Sequence, residues 1–131
     1  TTIDNKDISF EEILKRNEGK IVVIDVWASW CSDCIKSMPE VKELKAQFPD
    51  VAFVNLSCDK TFDAWQNGIE KHKVTGENYL IKDGMKGEFG QSLKLDWIPR
   101  FIVLDKKGNI ALFRAIEKDF DKIKETIEKS K

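Results

Sequence analysis

From residue 21 the chain reads Ile-Val-Val-Ile-Asp-Val-Trp, apolar at every position but one. An apolar run of this length, preceded by Gly19-Lys20, is the pattern of a strand buried on both faces, as in a central parallel strand. A second run, Val51-Ala52-Phe53-Val54-Asn55-Leu56, follows the Pro49-Asp50 break. Between the two the period changes. Ile35, Met38, Val41, Leu44 and Phe48 recur three or four residues apart and form one stripe of a helix from Cys31 or Ser32 to about Phe48. Pro39 falls inside that helix and is expected to kink it, because it removes a backbone hydrogen bond and crowds the preceding turn.

Upstream, Ser9-Phe10-Glu11-Glu12 is a capping-box pattern that starts a helix running to about Arg16, ended by Asn17-Glu18-Gly19-Lys20. Downstream, Asp59 or Thr61 caps a helix with Phe62, Trp65 and Ile69 on its inner face. Val74 to Asp96 is the least regular stretch, with four scattered glycines, and only a short helix around Glu88 to Leu95 is predicted there. Phe101 to Leu104 and Ile110 to Phe113 flank Asp105-Lys106-Lys107-Gly108-Asn109, a hairpin with a five-residue turn. Phe120, Ile123 and Ile127 mark a last helix between Lys118 and Lys129. The sum is an α/β sandwich, residues 1–131 as a single domain, with parallel strands in the first half and an antiparallel hairpin in the second, hence a mixed central sheet flanked by helices.

Composition narrows the function classes. Hydrophobic residues make up 41% of the 131, and 22 basic residues face 23 acidic ones, a net charge of −1. That balance offers no basic stripe for nucleic acid and no polybasic patch for a membrane surface. The apolar stretch from Ile21 to Ala28 is far too short to span a bilayer. The first residues are polar and the chain does not begin with Met, so a processed mature form or an excised piece is expected, from which a targeting segment or membrane anchor could have been removed. Three cysteines are the wrong number for a disulfide framework.

The chemistry is concentrated in Trp27-Ala28-Ser29-Trp30-Cys31-Ser32-Asp33-Cys34, which passes directly from the apolar strand into the helix. Two thiols two residues apart on a first helical turn can close a small ring. The first sulfur sits where unpaired N–H groups and the positive end of the helix dipole favour the thiolate, the form that attacks disulfides. A zinc site is the competing reading, but structural zinc wants four ligands, and only Cys58 and His72 remain, each placed singly. No metal is expected. Asp33 suits the helix dipole yet repels a thiolate at Cys31. Asp25 interrupts a buried strand, where an ionised carboxylate is costly, so its pKa should rise or it must find a partner.

The segment Asp25-Val26-Trp27-Ala28-Ser29-Trp30-Cys31-Ser32-Asp33-Cys34, with Pro39 five residues on, resembles the active-site strand and kinked helix of the thioredoxin fold. Trp97-Ile98-Pro99-Arg100-Phe101 resembles that family's cis-proline segment, just before the hairpin. The resemblance covers nearly the whole chain and implies a thioredoxin-like three-layer sandwich. The long stretch from about 59 to 97 and the Asp-Lys-Lys-Gly-Asn turn resemble the TlpA/ResA-like thiol-disulfide oxidoreductases, which are mostly bacterial and extracytoplasmic or periplasmic. Ser37 stands where members dedicated to cytochrome c maturation tend to carry glutamate, and Ser32-Asp33 replaces the Gly-Pro of plain thioredoxin.

The resemblance implies that Cys31 is the nucleophile and Cys34 the resolving thiol. It implies further that Asp25 accepts the Cys34 proton, and that Pro99 is cis beside the sulfurs, where the adjoining backbone of Ile98 can pair with a substrate peptide. For Asp25 the alternative is a strand-end acid paired with a lysine. Arg100 either sits near the sulfurs or is solvated. Trp30 is expected to shield the dithiol and touch substrate, Trp27, Trp65 and Trp97 to pack in the core or insert, Cys58 to be a buried free thiol, and His72 to be solvated. The function so implied is exchange of the Cys31/Cys34 dithiol with protein disulfides, in the reducing direction, with no cofactor beyond the redox pair and with an upstream reductant protein as partner. The alternative is a non-catalytic binding or metal-carrying domain that keeps the fold, and a cytoplasmic setting stays open.

Overall fold

A computed structural model describes residues 1–131. Helix α1 (Phe10–Arg16) leads into strand β1 (Val22–Trp27), helix α2 (Ser32–Gln47), strand β2 (Ala52–Ser57) and helix α3 (Phe62–His72). Strand β3 (Glu77–Leu80), a short 3-10 turn at Gly84–Lys86 and helix α4 (Glu88–Ser92) make up the irregular stretch. Strands β4 (Arg100–Leu104) and β5 (Ile110–Ala115) form the hairpin, and helix α5 (Phe120–Ser130) ends the chain.

The sheet order is β3-β2-β1-β4-β5. β1 lies at its centre, parallel to β2 and antiparallel to β4, so the sheet is mixed. Alternation along β1 sends Val22, Ile24 and Val26 into one apolar cluster and Val23 into the other. The second cluster holds Val41, Leu44 and Phe48 from the α2 region with Phe120, Ile123 and Ile127 of α5. The first takes Ile13 of α1, Trp65 of α3 and Leu95 beyond α4. The sheet is therefore covered on both faces, which is why its central strand is apolar throughout.

Local signals in the sequence set several boundaries. Ser9 Oγ accepts the Glu12 N–H at 3.1 Å and starts α1. Thr61 Oγ1 does the same for Ala64 N–H in α3, so Thr61 is the cap and Asp59 is left for another role. Asp105 Oδ1 accepts the N–H groups of Lys107 and Asn109, both at 2.9 Å, and shapes the hairpin turn. α2 runs from Ser32 to Gln47 as one element with Pro39 inside it.

One element was not legible. β3 pairs parallel with β2, Val54 opposite Glu77 through Ser57 opposite Leu80. Only Tyr79 of its four residues is fully buried. An edge strand this short carries no periodic apolar signal, and its existence depends on the main chain that β2 offers. Thr1 lies along it, its ammonium donating to Leu80 O and its own carbonyl accepting Leu80 N–H, each at 2.8 Å.

Candidate active site

The end of β1 and the start of α2 are joined by a turn in which Cys31 N–H reaches Ala28 O at 3.1 Å. A buried carboxylate, Asp59, one of the two residues expected to cap α3, secures this turn. Asp59 accepts the Ser29 N–H at 3.1 and 3.2 Å on its two oxygens, the Ser29 hydroxyl at 2.6 Å and the Ser57 hydroxyl at 2.6 Å. From the other side α3 presses in at Gly68, where a Cβ would stand 2.7 Å from the Cβ of Ser29. Only glycine permits this approach. The available signal was an acidic residue closing an apolar strand, which is as common in turns as in sites.

Cys31 is the N-cap of α2, and its sulfur accepts the Cys34 N–H at 3.1 Å. Cys31 and Cys34 are joined in a disulfide with their Cα atoms 5.3 Å apart. In the reduced pair the same N–H, at the positive end of a 16-residue helix, favours a thiolate on Cys31. Exposure does not separate the two residues, at 5% and 3%. Their positions in the helix do. Cys31 Sγ lies 3.7 Å from the carbonyl oxygen of Ile98, and the Ile98–Pro99 peptide bond is cis.

Asp25 lies on the face of β1 covered by α2, between Asn55 of β2 and Phe101 of β4. It lines a narrow crevice of about 20 Å³ with Met38, Lys45 and His72, large enough for about one water. Burial pushes its pKa up to about 6, with only the Lys45 ammonium working against the rise. Lys45 Nζ donates to Thr75 O at 2.8 Å, so it acts on Asp25 as a nearby charge. His72, expected to be solvated, is half-buried in this crevice. The other lone candidate ligand, Cys58, is a buried free thiol whose pKa is pushed up to about 12 by burial, with the charge of Asp59 adding to it.

The tryptophans divide differently from expectation. Trp27 and Trp65 are buried and Trp30 is exposed, but Trp97 is half exposed instead of packed. Its indole N–H donates to Glu117 Oε2 at 3.2 Å.

Arg100 is neither solvated nor left free for a substrate, since its side chain is only 1% exposed. The guanidinium donates to Leu93 O at 3.0 Å, to Lys94 O, to Phe113 O at 3.5 Å and to Asp96 Oδ1 at 3.3 Å. It therefore ties the end of the insert to the hairpin and sets the path into Trp97-Ile98-Pro99. Arg100→Met is expected to cost about 2–4 kcal/mol in chemical denaturation, because several carbonyls lose a charged donor. Arg100→Lys should recover only part, lacking the planar fork. A loss below about 0.5 kcal/mol, the scale of an ordinary surface change, would overturn this role.

Comparison with known proteins follows the same lines. The family model described as thioredoxin-like matches residues 19–110. A solved thiol-disulfide oxidoreductase from Bacteroides vulgatus is 34% identical with a TM-score of 0.78, the match covering 97% of this chain and 81% of that one. Thiol-disulfide oxidoreductase ResA of Bacillus thuringiensis is 26% identical over 112 residues, 84% of this chain and 61% of the relative. Chloroplastic thioredoxin F of Oryza sativa is 34% identical over 94 residues, 70% of this chain and 48% of the relative. The chain thus spans between about half and three-fifths of the length of these two curated relatives. With Cys31 capping a helix and paired to Cys34, and with the family model matching most of the sequence, the chain belongs to the thioredoxin-like family.

Proposed function

We propose that this chain exchanges its Cys31/Cys34 dithiol with disulfides of other proteins, as a reductase. The observation that carries the reading is Cys31 at the N-cap of α2, its sulfur accepting the Cys34 N–H while bonded to the Cys34 sulfur. The Cys31 thiolate attacks one sulfur of a substrate disulfide. That S–S bond breaks, one substrate thiolate leaves and takes a proton, and a mixed disulfide joins Cys31 to the substrate. Cys34 then gives its proton to Asp25 and attacks the Cys31 sulfur, releasing the second substrate thiolate. Two electrons have passed from the dithiol to the substrate, and the chain is left as the disulfide. The pair itself is the redox group, so no further cofactor enters, and an upstream reductant protein restores the dithiol.

Trp30 and the Ile98-Pro99 backbone are the substrate-facing groups in this reading, and Arg100 holds their loop in position. The extracytoplasmic bacterial setting rests on the resemblance to TlpA/ResA-like proteins, in compartments where protein disulfides persist. No helix of the chain is long and apolar enough to cross a membrane.

The direction of electron flow has its own test. A strongly stabilised thiolate makes the reduced form favourable and the protein an oxidant. Here Asp33 stands between the cysteines, where its charge opposes the thiolate, and no lysine or histidine lies between them. The midpoint potential, measured by equilibration against a glutathione or dithiothreitol series, is expected near about −270 mV and far from the strong oxidant at about −120 mV. A midpoint above roughly −180 mV would overturn the reducing direction and leave the exchange chemistry standing.

A further inference from the structure

Four large apolar side chains are about half exposed or more: Ile3, Trp30, Trp97, at about half, and Ile110. Ile3 belongs to the N-terminal segment and Ile110 opens β5, whereas each of the two tryptophans adjoins, in sequence, a residue of the disulfide site. Trp30 directly precedes Cys31, and Trp97 directly precedes Ile98, whose carbonyl oxygen is 3.7 Å from Cys31 Sγ. Each ring is thus rooted one residue, about 3.8 Å between Cα atoms, from a group that meets the reactive sulfur.

Trp97 is held as well as exposed. Its only polar group is engaged by Glu117, so what remains open is the apolar face of the ring. Neither Trp97 nor Ile98 enters a backbone hydrogen bond, and Ile98 itself is buried. A half-cystine attacked by Cys31 Sγ has to approach the Ile98 carbonyl, 3.7 Å from that sulfur, and Trp97 is the next residue along the chain.

We propose that Trp97 sets substrate specificity: it selects extended protein segments whose disulfide-bonded cysteine has a large apolar neighbour, and, with the Glu117 carboxylate at its edge, disfavours an acidic neighbour. The inference rests on the exchange activity proposed above and names the substrate class that the site takes.

The test compares reduction, by the full chain, of two peptide disulfides that differ only in phenylalanine or aspartate next to the half-cystine. The readout is the ratio of their kcat/KM values, because a variant that merely folds less well lowers both rates together. The wild-type chain should favour the phenylalanine peptide by about tenfold, the low end of what one apolar contact gives. Trp97→Ala should bring the ratio close to one. Trp97→Lys, which keeps an aliphatic stem and adds a positive charge, should turn the preference toward the aspartate peptide. A ratio near one in the wild type, or the same ratio in the wild type and both variants, overturns the proposal. Failure of the wild type to reduce either peptide or a small disulfide would instead overturn the exchange activity beneath it.

Discussion

Cys31→Ser is expected to abolish reduction of protein disulfides, and Cys34→Ser to leave the chain joined to its substrate through Cys31. The asymmetry follows from the helix. Cys31 is the N-cap residue and receives the Cys34 N–H, so its sulfur carries the negative charge best. Cys34 lies one turn in, where its side chain has no such cap position. Without Cys31 there is no attacking thiolate, and the loss is total within the sensitivity of the assay. Without Cys34 the first exchange still occurs and the second cannot. A mixed disulfide then accumulates, visible by mass spectrometry and released by dithiothreitol. Equal partial activity in the two variants would overturn the division of roles. Since both residues are almost inaccessible in the disulfide form, neither assignment rests on exposure.

Asp25→Asn is expected to slow turnover about 10-fold to 100-fold, the low end of general-base effects, while making the fold more stable. Burial raises Asp25 from 3.8 to about 6. The folded chain therefore holds this proton more tightly than the unfolded chain does. Below about pH 4 both states are protonated and Asp25 costs nothing. Stability falls as pH rises between about 4 and 6, and above the folded value the full cost is present, at most about 3 kcal/mol. The asparagine variant should gain up to that amount near neutral pH and should lose this slope in denaturation curves taken across the range. In turnover, the wild type should rise through about pH 6 as the carboxylate becomes able to accept the Cys34 proton. The variant should lack that limb. Destabilisation with unchanged turnover would instead make Asp25 a structural partner of Lys45.

The core elements and the reactive pair were legible from residue order alone. A strand buried on both faces must be apolar throughout, a helix packed on one side must repeat every three or four residues, and caps and turns are chosen within a few residues of where they act. Ser9, Thr61, the Asp105 turn and the placement of Cys31 and Cys34 at a helix start are all of this local kind. What tertiary structure decided involved partners distant in sequence. β3 forms because β2 offers it an edge. Asp59 reaches Ser29 across 30 positions and turns a possible helix cap into the anchor of the cysteine turn. Lys45 and His72 come to Asp25 from two different helices. Arg100 is buried by carbonyls of the insert and the hairpin, although the residue type argued for solvent or sulfur. Trp97 is half exposed next to Ile98, whose carbonyl meets Cys31 Sγ, while an indole read in isolation is placed in a core by its area. Periodicity reports which face of an element is covered; it does not report which distant groups cover it.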